Sequence, residues 1–146
     1  MCVGFSRDGR WIWCGTDGGV RVFDWRVLKQ TSDTRPAFAS DVARDAHQPR
    51  FEFTHAIVEE VDANAIIFGT TAGAIHRMDL ESGHTYSLGS IPGDPAIFGL
   101  TMSADGRTLG VASHTIPTNL RNSPKDHRWT FDIFDYRRLR GPFMRN

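Results

Sequence analysis

The chain has 146 residues, with 17 basic and 17 acidic side chains and a formal net charge of zero. This balance excludes a global electrostatic field that would steer the protein to nucleic acid or to an anionic lipid surface. No apolar run approaches the roughly 18 residues that span a bilayer, and the two cysteines lie in no metal-binding spacing, so we expect no membrane partner, no nucleic-acid partner, no metal and no cofactor, and a cytoplasmic location.

Short runs rich in β-branched and aromatic residues follow one another along the chain, and turn residues separate them. Asp17-Gly18 and Asp105-Gly106 are the clearest hairpin turns, because Asp and Gly tolerate positive φ angles. One or two helical turns are expected within Ser40–His47, and no fourth strand is expected after Tyr136. In chain order the predicted strands are Cys2–Phe5, Trp11–Gly15, Val20–Trp25, Phe51–Phe53, Ile57–Val61, Ala65–Thr70, Ala74–Leu80, His84–Gly89, Ile97–Met102, Thr108–Ser113 and Trp129–Tyr136.

One triplet occurs three times, with an aspartate between two apolar or aromatic residues. An acidic turn residue precedes each copy. The closing aspartates lie 55 and 56 residues apart, which is long for a four-stranded repeat of about 40–45 residues. Insertions at 29–50 and 114–128 account for the excess and leave periods of about 43 and 42 residues. The triplets are Phe23-Asp24-Trp25, Met78-Asp79-Leu80 and Phe134-Asp135-Tyr136, and the turn residues are Asp8, Asp62 and Asp105.

At these residues the chain resembles the tryptophan-aspartate (WD) repeat family, whose members are β-propellers. In the first copy, Phe5–Arg10, Cys14–Gly19 and Val20–Asp24 resemble the family's first turn, its second strand with a tight turn, and its third strand. His55 falls where the family often has a histidine entering a blade. The signature tryptophan is replaced in every copy, and Ala72 stands where the turn aspartate would be. The later copies keep Phe68–Gly73 with Met78-Asp79, and Met102–Arg107 with Phe134-Asp135.

The resemblance implies an all-β fold: a partial β-propeller of about three four-stranded antiparallel blades, the last incomplete. The whole segment 1–146 would contain blade 1 at about 1–54, blade 2 at about 55–91 and blade 3 at about 96–139. Closed propellers typically have four to eight blades, so we expect a fragment of a larger propeller. The alternatives are an oligomer that completes the ring and an open three-bladed arc. Its partners would be other proteins or further blades from the same or another chain, and we expect the isolated chain to self-associate.

Several positions recur once per repeat, and recurrence favours a structural use over a catalytic one. His55 is expected to donate a structural hydrogen bond at a blade entrance. The structural repeat positions are Asp8, Asp17, Phe23, Asp24, His55, Met78, Asp79, Asp105, Phe134 and Asp135.

Trp11 and Trp13 share one face of a predicted strand, and two interpretations stay open. They fill the wedge between stacked sheets, or one of them is an exposed anchor for a partner, since Trp is common in binding hot spots. Loops on a rigid scaffold carry recognition, so the second insertion is a further candidate through Pro117, Asn119 and Lys125.

The only adjacent carboxylates that end a predicted strand, Glu59 and Glu60, point to opposite faces and do not form an acid–base pair. No nucleophile motif or phosphate loop occurs. We therefore expect a non-catalytic protein–protein interaction scaffold of WD-repeat propeller type. The alternatives are part of a propeller-fold enzyme, hydrolase-like or lactonase-like, whose catalytic residues lie elsewhere, and an accessory propeller fused to a signalling domain.

Overall fold

A computed structural model describes residues 2–16, 19–26, 38–41, 54–61, 63–93, 95–115 and 128–139. Helix α1 (Tyr136–Leu139) has four residues, and no helix in these ranges is long and apolar enough to cross a membrane. The strands are β1 (Val3–Phe5), β2 (Trp11–Thr16), β3 (Gly19–Asp24), β4 (Phe38–Asp41), β5 (Thr54–Glu59), β6 (Ala65–Thr70), β7 (Ala74–Asp79), β8 (Thr85–Ser90), β9 (Ala96–Met102), β10 (Thr108–Thr115) and β11 (Arg128–Asp135).

The strands form three antiparallel sheets, and each sheet follows chain order. The first sheet contains β1 to β4, the second β5 to β8, and the third β9 to β11. Within each sheet, every strand hydrogen-bonds to the next one along the chain in antiparallel orientation. The prediction of an all-β chain is confirmed. Within the described ranges the third sheet has three strands and ends at β11.

The fourth strand of the first sheet was predicted wrongly. It is Phe38–Asp41, which pairs with β3 inside the segment interpreted as an insertion. Ser40, expected to begin a helical turn, lies in this strand. A four-residue edge strand with one large apolar residue has little propensity of its own, and pairing with β3 decides its structure. Phe51–Phe53, predicted for this place, lies outside the described residues.

The second sheet lies between the other two, and its strand β6 is buried along its whole length. Ile66 and Phe68 pack against the first sheet, whereas Ile67 packs against the third. Fully burying each such side chain contributes about 1.5–3 kcal/mol. Two inter-sheet clusters therefore hold the chain together. Their main members are Trp11, Trp13, Val20, Val22, Ile66, Phe68, Met78 and Leu80 in one, and Ala56, Ile67, Ile75, Ile91, Ile97, Leu109, Val111 and Tyr136 in the other.

His76 makes the stability of the second sheet depend on pH. Its ring stacks on Phe68 with centroids 5.1 Å apart, and burial lowers the pKa of this histidine below its usual value. The unfolded chain therefore binds a proton more readily than the folded chain. Stability contributed by neutral His76 is present above pH 6.5 and falls as the pH drops toward the lowered folded-state pKa.

We expect His76→Phe to remove part of this acid sensitivity while it keeps a ring against Phe68. Urea unfolding of both proteins between pH 7.5 and 5 measures the effect. The wild-type free energy of unfolding should fall more steeply than that of the variant, by up to about 1.4 kcal/mol per pH unit, the limit for one proton. Equal slopes would show that His76 does not titrate in this range.

Candidate functional site

The three sheets repeat one register, so their positions can be compared one by one. In each sheet the first residue of the second strand pairs with the closing aspartate, and the residue after that aspartate donates its main-chain N–H to the carbonyl before the strand. The register pairs are Trp11 with Asp24, Ala65 with Asp79, and Thr108 with Asp135. The donors are Trp25, Leu80 and Tyr136, and their acceptors are the carbonyls of Arg10, Asn64 and Arg107.

The closing aspartates hold the turns that follow them. Asp24 accepts the main-chain N–H of Arg26, and Asp135 accepts that of Arg137, both through Oδ1. Asp79 accepts both the N–H and the hydroxyl of Ser82. Burial acts to raise the pKa of Asp79, but the hydrogen bonds from Ser82 outweigh it and hold that pKa below its usual value.

The acidic turn residues of the first and third copies make matching contacts. The hydroxyl of Ser6 donates to Asp8, and the hydroxyl of Ser103 donates to Asp105. These hydroxyl donors, with a main-chain N–H two residues after each aspartate, lower the pKa of both carboxyls. The carboxylates therefore serve local turn structure.

Each sheet has a forward face, directed to the sheet that follows it in the chain, and a backward face. In the first sheet the forward face carries Trp13, Val20 and Val22, and the register places the forward face of the third sheet at Gly110, Phe131 and Ile133. In the second sheet Ile67, Ile75 and Arg77 occupy these positions and are buried against the third sheet or inside the stack.

The forward face of the third sheet is open to solvent. Phe131 is 62% exposed and Ile133 is 69% exposed, whereas Val20 and Val22 at the equivalent positions of the first sheet are 1% and 0% exposed. Trp129, on the same face of β11, is also exposed. Positions that are buried in the first and second sheets are thus uncovered on the forward face of the third sheet.

Aromatic rings extend this face toward the second sheet. Trp129 stacks on His114 with centroids 4.5 Å apart, and Phe98 lies 5.7 Å from Trp129. His55 of the second sheet stacks on Phe98 at 5.3 Å. Burial, with a smaller effect of the chain's amino terminus, lowers the pKa of His55. The continuous apolar and aromatic surface favours contact with another polypeptide over solvation.

Polar contacts border the junction between the first and second sheets. The Arg10 guanidinium binds Asp24 of its own sheet at 3.2 Å and Glu81 of the next sheet at 2.8 Å. Glu59 accepts the main-chain N–H of Arg7 through both carboxylate oxygens. These contacts fix how the two sheets meet.

The equivalent place on the third sheet is an open depression. Arg107, Ile133 and Asp135 occupy the positions of Arg10, Val22 and Asp24. Arg107 lies 3.7 Å from Asp105, and both side chains are largely exposed. The depression has a volume of about 450 Å³, and its lining is Arg107, Thr108, Ile133, Phe134, Asp135 and Arg137.

The predicted partner-binding tryptophans are not on the described surface. Trp11 and Trp13 are 3% and 6% exposed and pack between the first and second sheets, which matches the packing alternative and not the exposed anchor. Pro117, Asn119 and Lys125, like the repeat position Asp17, lie outside the described residues. The hydrogen bond expected of His55 stays a prediction.

Phe98, Phe131 and Ile133 were not singled out from the sequence. The signal that could have found them is the alternation Trp129, Phe131, Ile133, which places three large apolar side chains on one face of a strand. Phe23, Met78 and Phe134, by contrast, recur on the backward faces.

The described residues contain no group of three His, Cys, Asp or Glu side chains that could hold a metal ion. Glu59 and Glu60 have separate partners, since Glu59 binds Arg7 and Glu60 binds Arg77. Comparison with known proteins yields neither a matching family model nor a matching curated protein. The site is therefore defined by its geometry, as an uncovered apolar sheet face with a basic depression at its border.

Proposed function

We propose that this chain is a protein–protein interaction scaffold of WD-repeat propeller type, and that it binds through the forward face of its third sheet. One observation carries the proposal. Phe131 and Ile133 are exposed at register positions that inter-sheet packing buries in the first two sheets. Exposed apolar faces of this kind mark interaction sites, and aromatic residues at their centre supply most of the binding energy.

The propeller assignment is supported by three features. The sheets are short antiparallel meanders in chain order, they stack through alternate faces, and the third strand of each ends on an aspartate in the same register. Propellers repeat such a unit and present loops and faces to partners. The bound partner is another protein or a further blade.

Trp129→Ala is expected to weaken partner binding by about 30-fold or more, the effect of losing one aromatic hot spot of about 2 kcal/mol. The side chain is 67% exposed, so its removal should change the free energy of unfolding by no more than about 0.5 kcal/mol. Affinity purification of tagged chain from its natural cells, followed by titration with the recovered partner, measures the loss.

Tyr86→Ala is the matched control, because Tyr86 is an exposed aromatic residue on β8 of the second sheet and is not part of the forward face of the third sheet. This variant should bind the partner as the wild type does. Equal binding by Trp129→Ala, Tyr86→Ala and wild type would refute the assignment of the binding surface.

A further inference from the structure

A second apolar face lies at the opposite end of the stack. On the backward face of the first sheet Val3 is 73% exposed and Phe5 is 59% exposed. The Phe5 ring meets Trp25 edge-on, with centroids 6.2 Å apart. Ile12 and Phe23 pair across β2 and β3 on the same face.

The side chains of this face resemble those on the backward faces of the second and third sheets, which form the two internal junctions. The register equates Val3 with Ile57 and Leu100, Ile12 with Ile66 and Leu109, and Phe23 with Met78 and Phe134. All the members from the second and third sheets pack against the preceding sheet. The backward face of the first sheet is therefore suited to pack against the forward face of another sheet.

We propose that the forward face of the third sheet in one copy packs on the backward face of the first sheet in a second copy. The inference rests on the proposed function and names the partner as this same chain. Both faces belong to one molecule, and faces of these two types already meet twice within it. A contact between two different faces is heterologous. Repeated copies of such a contact form a closed ring when the rotation between neighbouring subunits brings the last one back to the first. Two copies together contain six sheets, and closed propellers typically have four to eight blades.

One polar contact of the first internal junction has no counterpart in the proposed contact between copies, because both of its side chains are replaced. In the first junction Nε of the Arg7 side chain lies 3.6 Å from Oε2 of Glu59. The positions that correspond to Arg7 and Glu59 are Ala104 on the third sheet and Phe5 on the first. An alanine opposite a phenylalanine leaves no charge without a partner at this point. The zero net charge of the chain adds no long-range repulsion between copies.

The second polar contact becomes a pair of like charges. Arg107 takes the place of Arg10, and Arg26 of the second copy takes the place of Glu81, two residues after the closing aspartate. Both arginine side chains are exposed, so this mismatch weakens the association without preventing it. It also makes the register of the contact testable by charge reversal.

The first experiment is sedimentation equilibrium of the full 146-residue chain. The wild type is expected at twice its 16.4 kDa mass. Val3→Asp and Ile133→Asp each put a charge on one of the two faces, and each variant alone is expected to be monomeric, with association weakened about 100-fold or more. An equimolar mixture of the two is expected to dimerise, because one intact junction remains between them. Tyr86→Asp, a change at an exposed residue of the second sheet that lies on neither of the two faces, should leave the dimer unchanged.

The second experiment reverses the charges that the contact brings together. Arg26→Glu and Arg107→Glu should each tighten dimerisation by about three- to tenfold, because each creates an ion pair like that of Arg10 with Glu81. The double variant should lose this gain, since two carboxylates then face each other. The two single variants change the net charge equally, so a net-charge effect would not give this pattern.

A monomeric wild type at 100 μM, a dimer that survives Val3→Asp, or equal effects of the single and double charge reversals would each overturn the inference. The proposed function is tested by a different result from the one that tests the dimer. If the chain is monomeric and Trp129→Ala still abolishes binding of a different protein, the interaction face is correct and the second copy is not its occupant.

Discussion

Replacing Arg77 with isoleucine is expected to lower the free energy of unfolding by about 3–5 kcal/mol. The Arg77 side chain is 7% exposed, and its Nε lies 2.6 Å from Oε2 of Glu60, which is 1% exposed. Removal of the arginine would leave the Glu60 carboxylate buried without its compensating cation. Urea unfolding followed by circular dichroism measures the loss.

The chain itself supplies the control for this substitution. Where the second sheet has Glu60 and Arg77, the register gives Ser6 and Val22 in the first sheet, and Ser103 and Ile133 in the third. The double variant Glu60→Ser/Arg77→Ile should therefore recover most of the lost stability, because replacement of a whole buried ion pair is often neutral. If the double variant is no more stable than Arg77→Ile, the ion pair is not the cause of the loss.

Gly15→Ala is the second change with a large expected effect, about 3 kcal/mol or more. A methyl group on Gly15 would clash with the main-chain oxygen of Thr54 and would lie 2.8 Å from the Cys2 sulfur. Thr54 begins β5, so the clash is with the backbone of the next sheet, which cannot rotate away. The first and second sheets would have to move apart along the buried Trp11–Phe68 cluster.

Gly99→Ala is the matched control, since its added methyl group would meet only the Ala112 side chain at 3.3 Å. Thermal unfolding should show a large fall in melting temperature for Gly15→Ala and a small one for Gly99→Ala. Similar changes for the two variants would mean that the sheets do not approach each other closely at Gly15. Gly69→Ala, which would press on Ile97 of the third sheet, should also be destabilising.

Most of the fold could be predicted from local sequence because its strands are short, apolar and bounded by turn residues. Strand β6 was predicted with the bounds Ala65–Thr70 that it has in the structure, since its continuous apolar run is suited to a strand buried on both faces. Strand β4 could not be predicted. Its sequence, Phe38–Asp41, has no strand pattern, and its structure depends on a hydrogen-bonded neighbour that is distant in the sequence.

The candidate site could be predicted less well, because a strand pattern shows which residues share a face and not whether another sheet covers it. Trp11 and Trp13 alternate in the same way as Trp129 and Phe131. The first pair is buried by the second sheet, and the second pair is exposed on the last one. Only the order in which the sheets stack separates a core face from an interaction face.

Side-chain footprinting by carbene labelling and mass spectrometry, applied to the assembly purified from its natural cells and to the dilute isolated chain, tests directly whether the forward face of the third sheet is an interaction surface. We predict strong labelling of 128–135 in the dilute chain and protection of this segment in the assembly, while Val20 and Val22 stay unlabelled in both. Equal labelling of Phe131 and Ile133 in the two samples would contradict the proposal that this face binds another polypeptide.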